Sequence, residues 1–250
     1  MKYLVFDAGP IISLTMNGML PVIERLKSVF DGEFILTPAV KREVVDRPMK
    51  IKKFKLEALQ VQDMIDKGIF KMSGDIISNQ KLDREAKKVL KSANGVLRST
   101  TTGEKISIIQ AGEAACLAFV NLVKASNGMT SAGPGDCVIA IDERTTRMLT
   151  EAPQNLEGMM EKKLHTPLDA TPALLDGFKN FKFIRSAELL YIAWKKDLIL
   201  TTRNSVPSKK GTNVPASSGN KELLDALLYG VKFKGCAISS VEIEEMKRLA

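Results

Sequence analysis

Tyr3-Leu4-Val5-Phe6-Asp7-Ala8-Gly9-Pro10, the first apolar run of the chain, sets the reading of everything after it. Four strand-forming residues stop abruptly at an acid and a Gly-Pro pair, the pattern of a short buried strand entering a turn. The pattern returns at Phe34-Ile35-Leu36, followed by Thr37 as a helix N-cap with Pro38 in the first helical position. It returns again at Cys137-Val138-Ile139-Ala140-Ile141, closed by Asp142, and at Phe181-Lys182-Phe183-Ile184. Between these runs the spacing is helical. Ile11 to Phe30 is broken in two by Pro21; Lys52 to Lys67 and Lys81 to Leu97 are charged and amphipathic; Gln110 to Lys124 is Ala-rich; Ala187 to Lys196 follows the last strand. Short apolar strands separated by helices predict an α/β fold, with a mainly parallel sheet between two helical layers.

The main domain is expected over residues 1–200, with a helical insertion at about 50–105 and an excursion at about 150–176. The excursion holds three prolines and one short helix. Ser99 to Lys105 reads as a polar connection and Ser126 to Asp136 as a Gly/Ser loop. Residues 201–220, rich in Ser, Gly, Lys and Pro, read as a flexible segment. Residues 221–250 form a C-terminal extension of two helices, Lys221 to Tyr229 and Ser240 to Leu249, packing back on the domain.

Composition narrows the chemistry. The 250 residues carry 37 Lys plus Arg against 29 Asp plus Glu, a net charge of +8 at pH 7. A basic surface attracts polyanions, nucleic acid first among them, although solubility alone is served by the same charge. No apolar run approaches the ~18 residues needed to cross a bilayer. The start Met1 to Asp7 turns acidic too soon for a signal peptide. Three cysteines without metal-site spacing fit a reducing cytoplasm. The single histidine, His165, lies in the Pro-containing excursion and argues against a His-rich zinc site and against His-dependent catalysis. Chemistry here has to run on carboxylates, hydroxyls or lysines.

Three carboxylates fall where a parallel sheet builds a site. Asp7 and Asp142 each follow an apolar strand, at the carboxyl edge where open α/β folds bind ligands. Glu113 lies in the first turns of the Ala-rich helix, on the face of Leu117 and Val120, so it points inward. Glu43 is a fourth, on the helix opened by Thr37-Pro38. Gathered anions repel one another unless a cation joins them, and Mg²⁺ or Mn²⁺ prefers such oxygen ligands. Each acid also has a purely structural use: Asp7 suits the turn at Gly9-Pro10, Asp142 suits a helix cap, and Glu43 an ion pair with Lys41 or Arg47. If repulsion governs the site, Asp142→Asn is expected to raise stability in metal-free buffer.

In order and spacing these segments resemble PIN-domain proteins. The resemblance rests on Val5 to Leu14, Thr37 to Val44, Ala111-Gly112-Glu113-Ala114-Ala115, and Ile139 to Arg147. Beyond the site, Leu189 to Ile199 is similar to a late helix of that branch, and Leu223 to Leu249, with Gly235-Cys236-Ala237-Ile238-Ser239, to its closing helical pair. The resemblance implies a PIN-like fold and a metal-dependent ribonuclease with acids at Asp7, Glu43, Glu113 and Asp142. It implies an acidic neighbour at Glu143, a small polar residue near the first Asp at Ser13, and an Arg at Arg147 that contacts RNA or ties its helix down. One or two Mg²⁺ or Mn²⁺ ions held by Asp7, Glu113 and Asp142 would activate water for in-line attack on a phosphodiester. RNA is the implied substrate, in an RNA-processing or a toxin-like role; a small antitoxin-like protein and a second copy of the chain are the implied partners. The alternative is a non-catalytic PIN-like module that binds RNA or protein.

Other classes fit less well. A haloacid-dehalogenase-type phosphatase needs a second Asp two residues after the first, where this chain has Gly9. A P-loop needs the Lys and hydroxyl that Gly128 to Gly135 lacks. Cys116 and Cys137 lie in apolar runs and read as buried small residues rather than nucleophiles.

Overall fold

A computed structural model describes residues 1–126, 137–199 and 221–250. The loop expected over Ser126 to Asp136 (all but Ser126) and the flexible segment at 201–220 lie outside the described residues. The order of elements is β1 (Tyr3–Phe6), α1 (Ala8–Met16), α2 (Leu20–Val29), β2 (Glu33–Leu36), α3 (Pro38–Lys41), α4 (Lys55–Asp66), β3 (Phe70–Met72) and α5 (Asn79–Ala93). It continues through β4 (Leu97–Ser99), α6 (Ala111–Ser126), β5 (Cys137–Ala140), α7 (Arg144–Glu151), α8 (Leu156–Leu164) and β6 (Leu168–Ala170). It closes with β7 (Phe183–Ile184), α9 (Ser186–Lys195), α10 (Lys221–Phe233) and α11 (Ser240–Arg248).

Five parallel strands form the central sheet in the order β3-β2-β1-β5-β7. Helices flank it as a three-layer α/β/α fold: α5 packs along α6, which also meets α3, while α2 and α10 pack on α9. The strands are short and apolar because both faces are covered; Val5, Phe6, Ile35, Leu36 and Ala140 are fully buried. Phe6, Phe34 and Phe70, one from each of three neighbouring strands, bring their rings within 5.1 to 6.5 Å of one another. Such contacts fix the register of strands only three or four residues long.

The four expected strands are all present, and four details differ from the sequence reading. Ala8-Gly9-Pro10 is the first turn of α1 rather than a loop, because Asp7 caps it. The break between α1 and α2 lies at Asn17-Gly18, where Gly18 takes φ +67°; Pro21 sits harmlessly in the first turn of α2. The sheet gains β3 inside the insertion. The helix expected to run to Leu97 stops at Ala93, and Leu97–Ser99 pairs antiparallel with Leu168–Ala170. Insertion and excursion therefore each contribute one strand to a small second sheet. The closing helices α10 and α11 bury Leu224, Leu228, Val231 and Ile243 completely, α10 against α9.

Among the described residues, no helix is long and apolar enough to cross a membrane.

Candidate active site

Strand order makes a site before any side chain is considered. From β1 the chain builds outward to β2 and β3, then returns to add β5 and β7 on the other side. The crevice between the carboxyl ends of β1 and β5 is the topological switch point. Asp7 leaves β1 there, its N–H donating to the Ala140 carbonyl at 2.9 Å. Asp142 leaves β5 beside it.

Asp7 is 6% exposed, and its Oδ2 accepts the Gly9 N–H at 3.2 Å. Burial raises its pKa most; the Gly9 and Ala8 N–H groups offset part of this, and the charges of Glu43 and Asp142 add to it. The outcome is about 6, against an ordinary 3.8. The capping use and the site use of Asp7 are therefore the same geometry: the cap turns the carboxylate toward the crevice.

Glu113 is 8% exposed in the first turn of α6. Its Oε2 accepts the Gln110 N–H at 2.6 Å, and its Oε1 accepts the Thr146 hydroxyl at 2.9 Å. Burial drives its pKa up, Gln110 pulls it down, Asp7 pushes it up again, Thr146 lowers it and Glu143 raises it; it reaches about 7. The approach to α6 is set by Asn94, just past α5. Its Oδ1 accepts the N–H groups of Ile108 and Ile109, at 2.7 and 2.9 Å, and its Nδ2 donates to the Ile109 carbonyl.

Glu43 sits on a π-helical turn, Arg42–Asp46, that continues α3; such turns re-aim side chains and cluster at functional sites. It is half-buried, and burial raises its pKa against the pull of Arg47 and Arg42. Gly112 lets it approach Asp7. A Cβ at Gly112 would stand 3.1 Å from Glu43 Oε1 and 3.3 Å from Asp7 Oδ1, so both carboxylates crowd one backbone position.

Asp142 is held differently. It is 2% exposed; its Oδ1 accepts the Ser186 N–H at 2.7 Å. Its Oδ2 accepts the hydroxyls of Ser13 and Ser186, both at 2.8 Å, and its backbone carbonyl accepts the Ala237 N–H at 3.0 Å. Asp142 thereby ties β5 to α1, to the start of α9, and to the turn between α10 and α11. The Cys236 thiol is buried against it and pushed up to about 12, by burial first and then by the Asp142 charge.

The remaining expected residues serve the surroundings of the crevice. Glu143, not Asp142, caps α7: its Oε2 accepts the Thr146 N–H at 2.9 Å and its Oε1 the Thr145 hydroxyl at 2.7 Å. Ser13, expected beside the first Asp, bonds Asp142 and, at 3.3 Å, the Lys234 carbonyl. Arg147 donates to the Ala237 carbonyl at 3.2 Å, where Arg185 also donates at 3.0 Å. That is the tie of α7 to its surroundings that the sequence left as one of two uses. His165 is exposed at the C-terminal end of α8.

The structure thus draws Asp7, Glu43 and Glu113 together, with Asp142 alongside as a clamp. In the orientation seen, no group of three or more His, Cys, Asp or Glu side chains among the described residues could hold a metal ion. The donor set itself, carboxylate oxygens throughout, is the type that suits Mg²⁺ or Mn²⁺. Sequence reasoning missed Ser186, Thr146 and Asn94. Thr146 stood inside the Asp142 to Arg147 motif without a role, and Ser186 opens the helix that follows the last strand, one residue beyond its N-cap Arg185. Asn94 was hidden in a helix read four residues too long. No protein-family model, curated protein or solved structure matches this chain.

Proposed function

We propose that the chain is a divalent-metal-dependent endoribonuclease of the PIN type, hydrolysing RNA phosphodiesters at the crevice between β1 and β5. The observation that carries this reading is the meeting of Asp7, Glu43 and Glu113 at the switch point, with a glycine between two of them. Burial raises the pKa of all three carboxylates, and like charges add to it at Asp7 and Glu113, so their ionisation destabilises the fold. A fold that keeps them has a use for them, and a basic exterior indicates a polyanion. Mg²⁺ or Mn²⁺, when bound, would lower the pKa of a water and stabilise charge on the attacked phosphate. Asp7 and Glu113 are the residues placed to hold it, with Glu43 at their side. In its absence the same two groups hold protons to near neutral pH, and a cation would release them.

The test is cleavage of a single-stranded RNA with and without Mn²⁺. Cleavage that requires Mn²⁺ and is lost in Asp7→Asn and Glu113→Gln supports the assignment. Full activity in both variants removes it.

A second reading draws on Asp142 and Glu143, whose oxygens are already engaged by the fold. A PIN-like module that binds RNA without cutting it could keep both residues for their clamping and capping bonds alone. RNA binding without cleavage at any Mn²⁺ concentration would select it. A second copy of the chain and an antitoxin-like protein as partners rest on the resemblance alone.

A further inference from the structure

The segment from Lys41 to Lys55 holds seven Lys or Arg and two acids, so a ribbon of fifteen residues carries +5 of the chain's +8. It starts at the last residue of α3, passes through the π-helical turn that carries Glu43 and two short 3₁₀ turns, Pro48–Lys50 and Lys52–Phe54, and enters α4. Lys41 is paired with Asp46 at 3.0 Å. Arg42, Arg47, Lys50, Lys52, Lys53 and Lys55 are exposed, and none makes a salt bridge among the described residues. Arg42 and Arg47 act on Glu43, but Lys50, Lys52, Lys53 and Lys55 have no ion pair among the described residues, and such a row of cations repels itself, which is costly unless a polyanion lies along it.

An open groove of about 290 Å³ runs between this ribbon and α1, the helix that Asp7 caps. Glu43 and Arg47 line one part of it and Ile51 and Phe54 another, with Ile12 and Met16 opposite and Glu57, Ala58 and Val61 of α4 as its floor; the lysines of the ribbon stand outside it, along its edge. Its walls are apolar and open: Ile12, Met16 and Ile51 are 43 to 48% exposed. Phe54 is not part of the hydrophobic core, and the Lys53 ammonium stands 5.3 Å from its ring centre. Single-stranded nucleic acid is bound by this combination, a cationic track for the phosphates beside apolar and aromatic surface for the bases. A duplex offers no unstacked bases to such a groove, and a membrane surface needs no groove leading to acids.

We propose that the groove between α1 and the Arg42–Lys55 ribbon is the docking channel for a single RNA strand. The ribbon's cations track the phosphates, Phe54 and its apolar neighbours receive bases, and the strand is led past Arg47 to the carboxylates at Glu43 and Asp7. This rests on the nuclease reading for its substrate, but it is tested by binding alone.

The probe is a fluorescein-labelled single-stranded oligouridylate, titrated with the full chain in metal-free buffer, where no cleavage occurs. Each phosphate contact contributes about −0.7 to the slope of log K against log salt for a single strand. Replacing Arg47, Lys50, Lys52 and Lys53 by Gln is expected to weaken binding at least tenfold at low salt and flatten the slope by roughly 3. Neutralising Lys105, Lys162, Lys163 and Lys196 removes the same charge elsewhere and is expected to leave the slope nearly unchanged. Phe54→Ala is expected to weaken binding about fivefold or more with the slope intact, because stacking is not ionic. Wild-type protein gives a check free of folding effects: bound RNA should protect Lys50, Lys52, Lys53 and Lys55 from amine acetylation, and leave Lys162 and Lys163 reactive. Equal loss in the two quadruple variants, or no protection of the ribbon, overturns the proposal. So does ribbon-dependent binding to phosphatidylserine vesicles that RNA fails to displace. Ribbon-dependent binding without Mn²⁺-dependent cleavage would leave the channel standing and remove the nuclease. Cleavage by a ribbon variant that binds like wild type would do the reverse.

Discussion

Asp142→Asn is the substitution on which sequence and structure disagree in sign. Considered only as one of several clustered anions, Asp142 should destabilise the metal-free protein, and its neutralisation should raise stability. The structure shows a carboxylate accepting three hydrogen bonds of 2.7 to 2.8 Å, from the Ser186 N–H and from the hydroxyls of Ser186 and Ser13. The Ser186 N–H can only donate, so the Asn carbonyl must take the Oδ1 position and the Asn NH₂ the Oδ2 position. There the NH₂ faces two hydroxyls that were donors and must now turn round. Ser13 has a second acceptor in the Lys234 carbonyl, at 3.3 Å, and adapts; Ser186 has only the weak acceptor of the Cys236 sulfur to turn to.

Bonds to a charged acceptor contribute about 1.5–3 kcal/mol and neutral ones about 0.5–1.5, so three such changes cost roughly 2–4 kcal/mol. Relief of repulsion at Asp7 offsets part of this, but Asp142 is the smallest of the influences on that carboxyl. A net loss of about 2 kcal/mol lowers the melting temperature of a chain this size by roughly 4–8 °C. The assay is thermal unfolding followed by circular dichroism at pH 7 in EDTA. An unchanged or raised melting temperature would refute the clamp and restore Asp142 as an ordinary repelled anion.

Other outcomes follow from the same bonds. In metal-free buffer Asp7 and Glu113 have folded pKa values of about 6 and 7, above their ordinary 3.8 and 4.5. The stability tied to them is full below about pH 4 and lost as pH rises through 6 to 7, a fall of several kcal/mol readable by urea titration; stability flat across that range would deny the burial of charge. Mn²⁺ should therefore raise the melting temperature more at pH 8 than at pH 5.5, releasing protons that a pH-stat detects between pH 6 and 7. Gly112→Ala should leave stability within about 1 kcal/mol, since Ala favours helix, yet weaken Mn²⁺ binding by roughly 10–100-fold by wedging Glu43 from Asp7; calorimetric titration measures it. Asn94→Ala removes three bonds at the entry to α6 and should cost about 2–3 kcal/mol in chemical denaturation.

The sheet was legible where burial on both faces writes strands as apolar runs, at Leu4 to Phe6, Phe34 to Leu36 and Val138 to Ala140. It was not legible at Phe70-Lys71-Met72, where an edge strand of three residues carries a lysine in its middle. Nor could Leu97–Ser99 be seen, because its partner is Leu168–Ala170 and pairing over that separation leaves no local trace. Strand-end acids were legible because strand direction alone places them at one sheet edge. Their division of labour was not. Whether Asp142 faces the other acids or the hydroxyls of Ser13 and Ser186 depends on where α9 and the α10–α11 turn come to rest, and periodicity carries no such information.

The structural and chemical uses of these acids are not alternatives. A helix needs acceptors for the N–H groups at its start, and it presents a positive dipole to whatever supplies one. Asp7 at α1 and Glu113 at α6 are supplied by that need, and both helices begin at the same crevice. The bonds that hold each carboxylate use one lone pair on some of its oxygens and leave others directed at a neighbour of like charge. Capping therefore positions the acids, burial raises their pKa, and the repulsion that remains is the free energy a cation would relieve. Asp142 is the exception that shows the rule. Its oxygens are turned away to three donors, and it alone among the buried acids of the crevice holds the C-terminal helices in place.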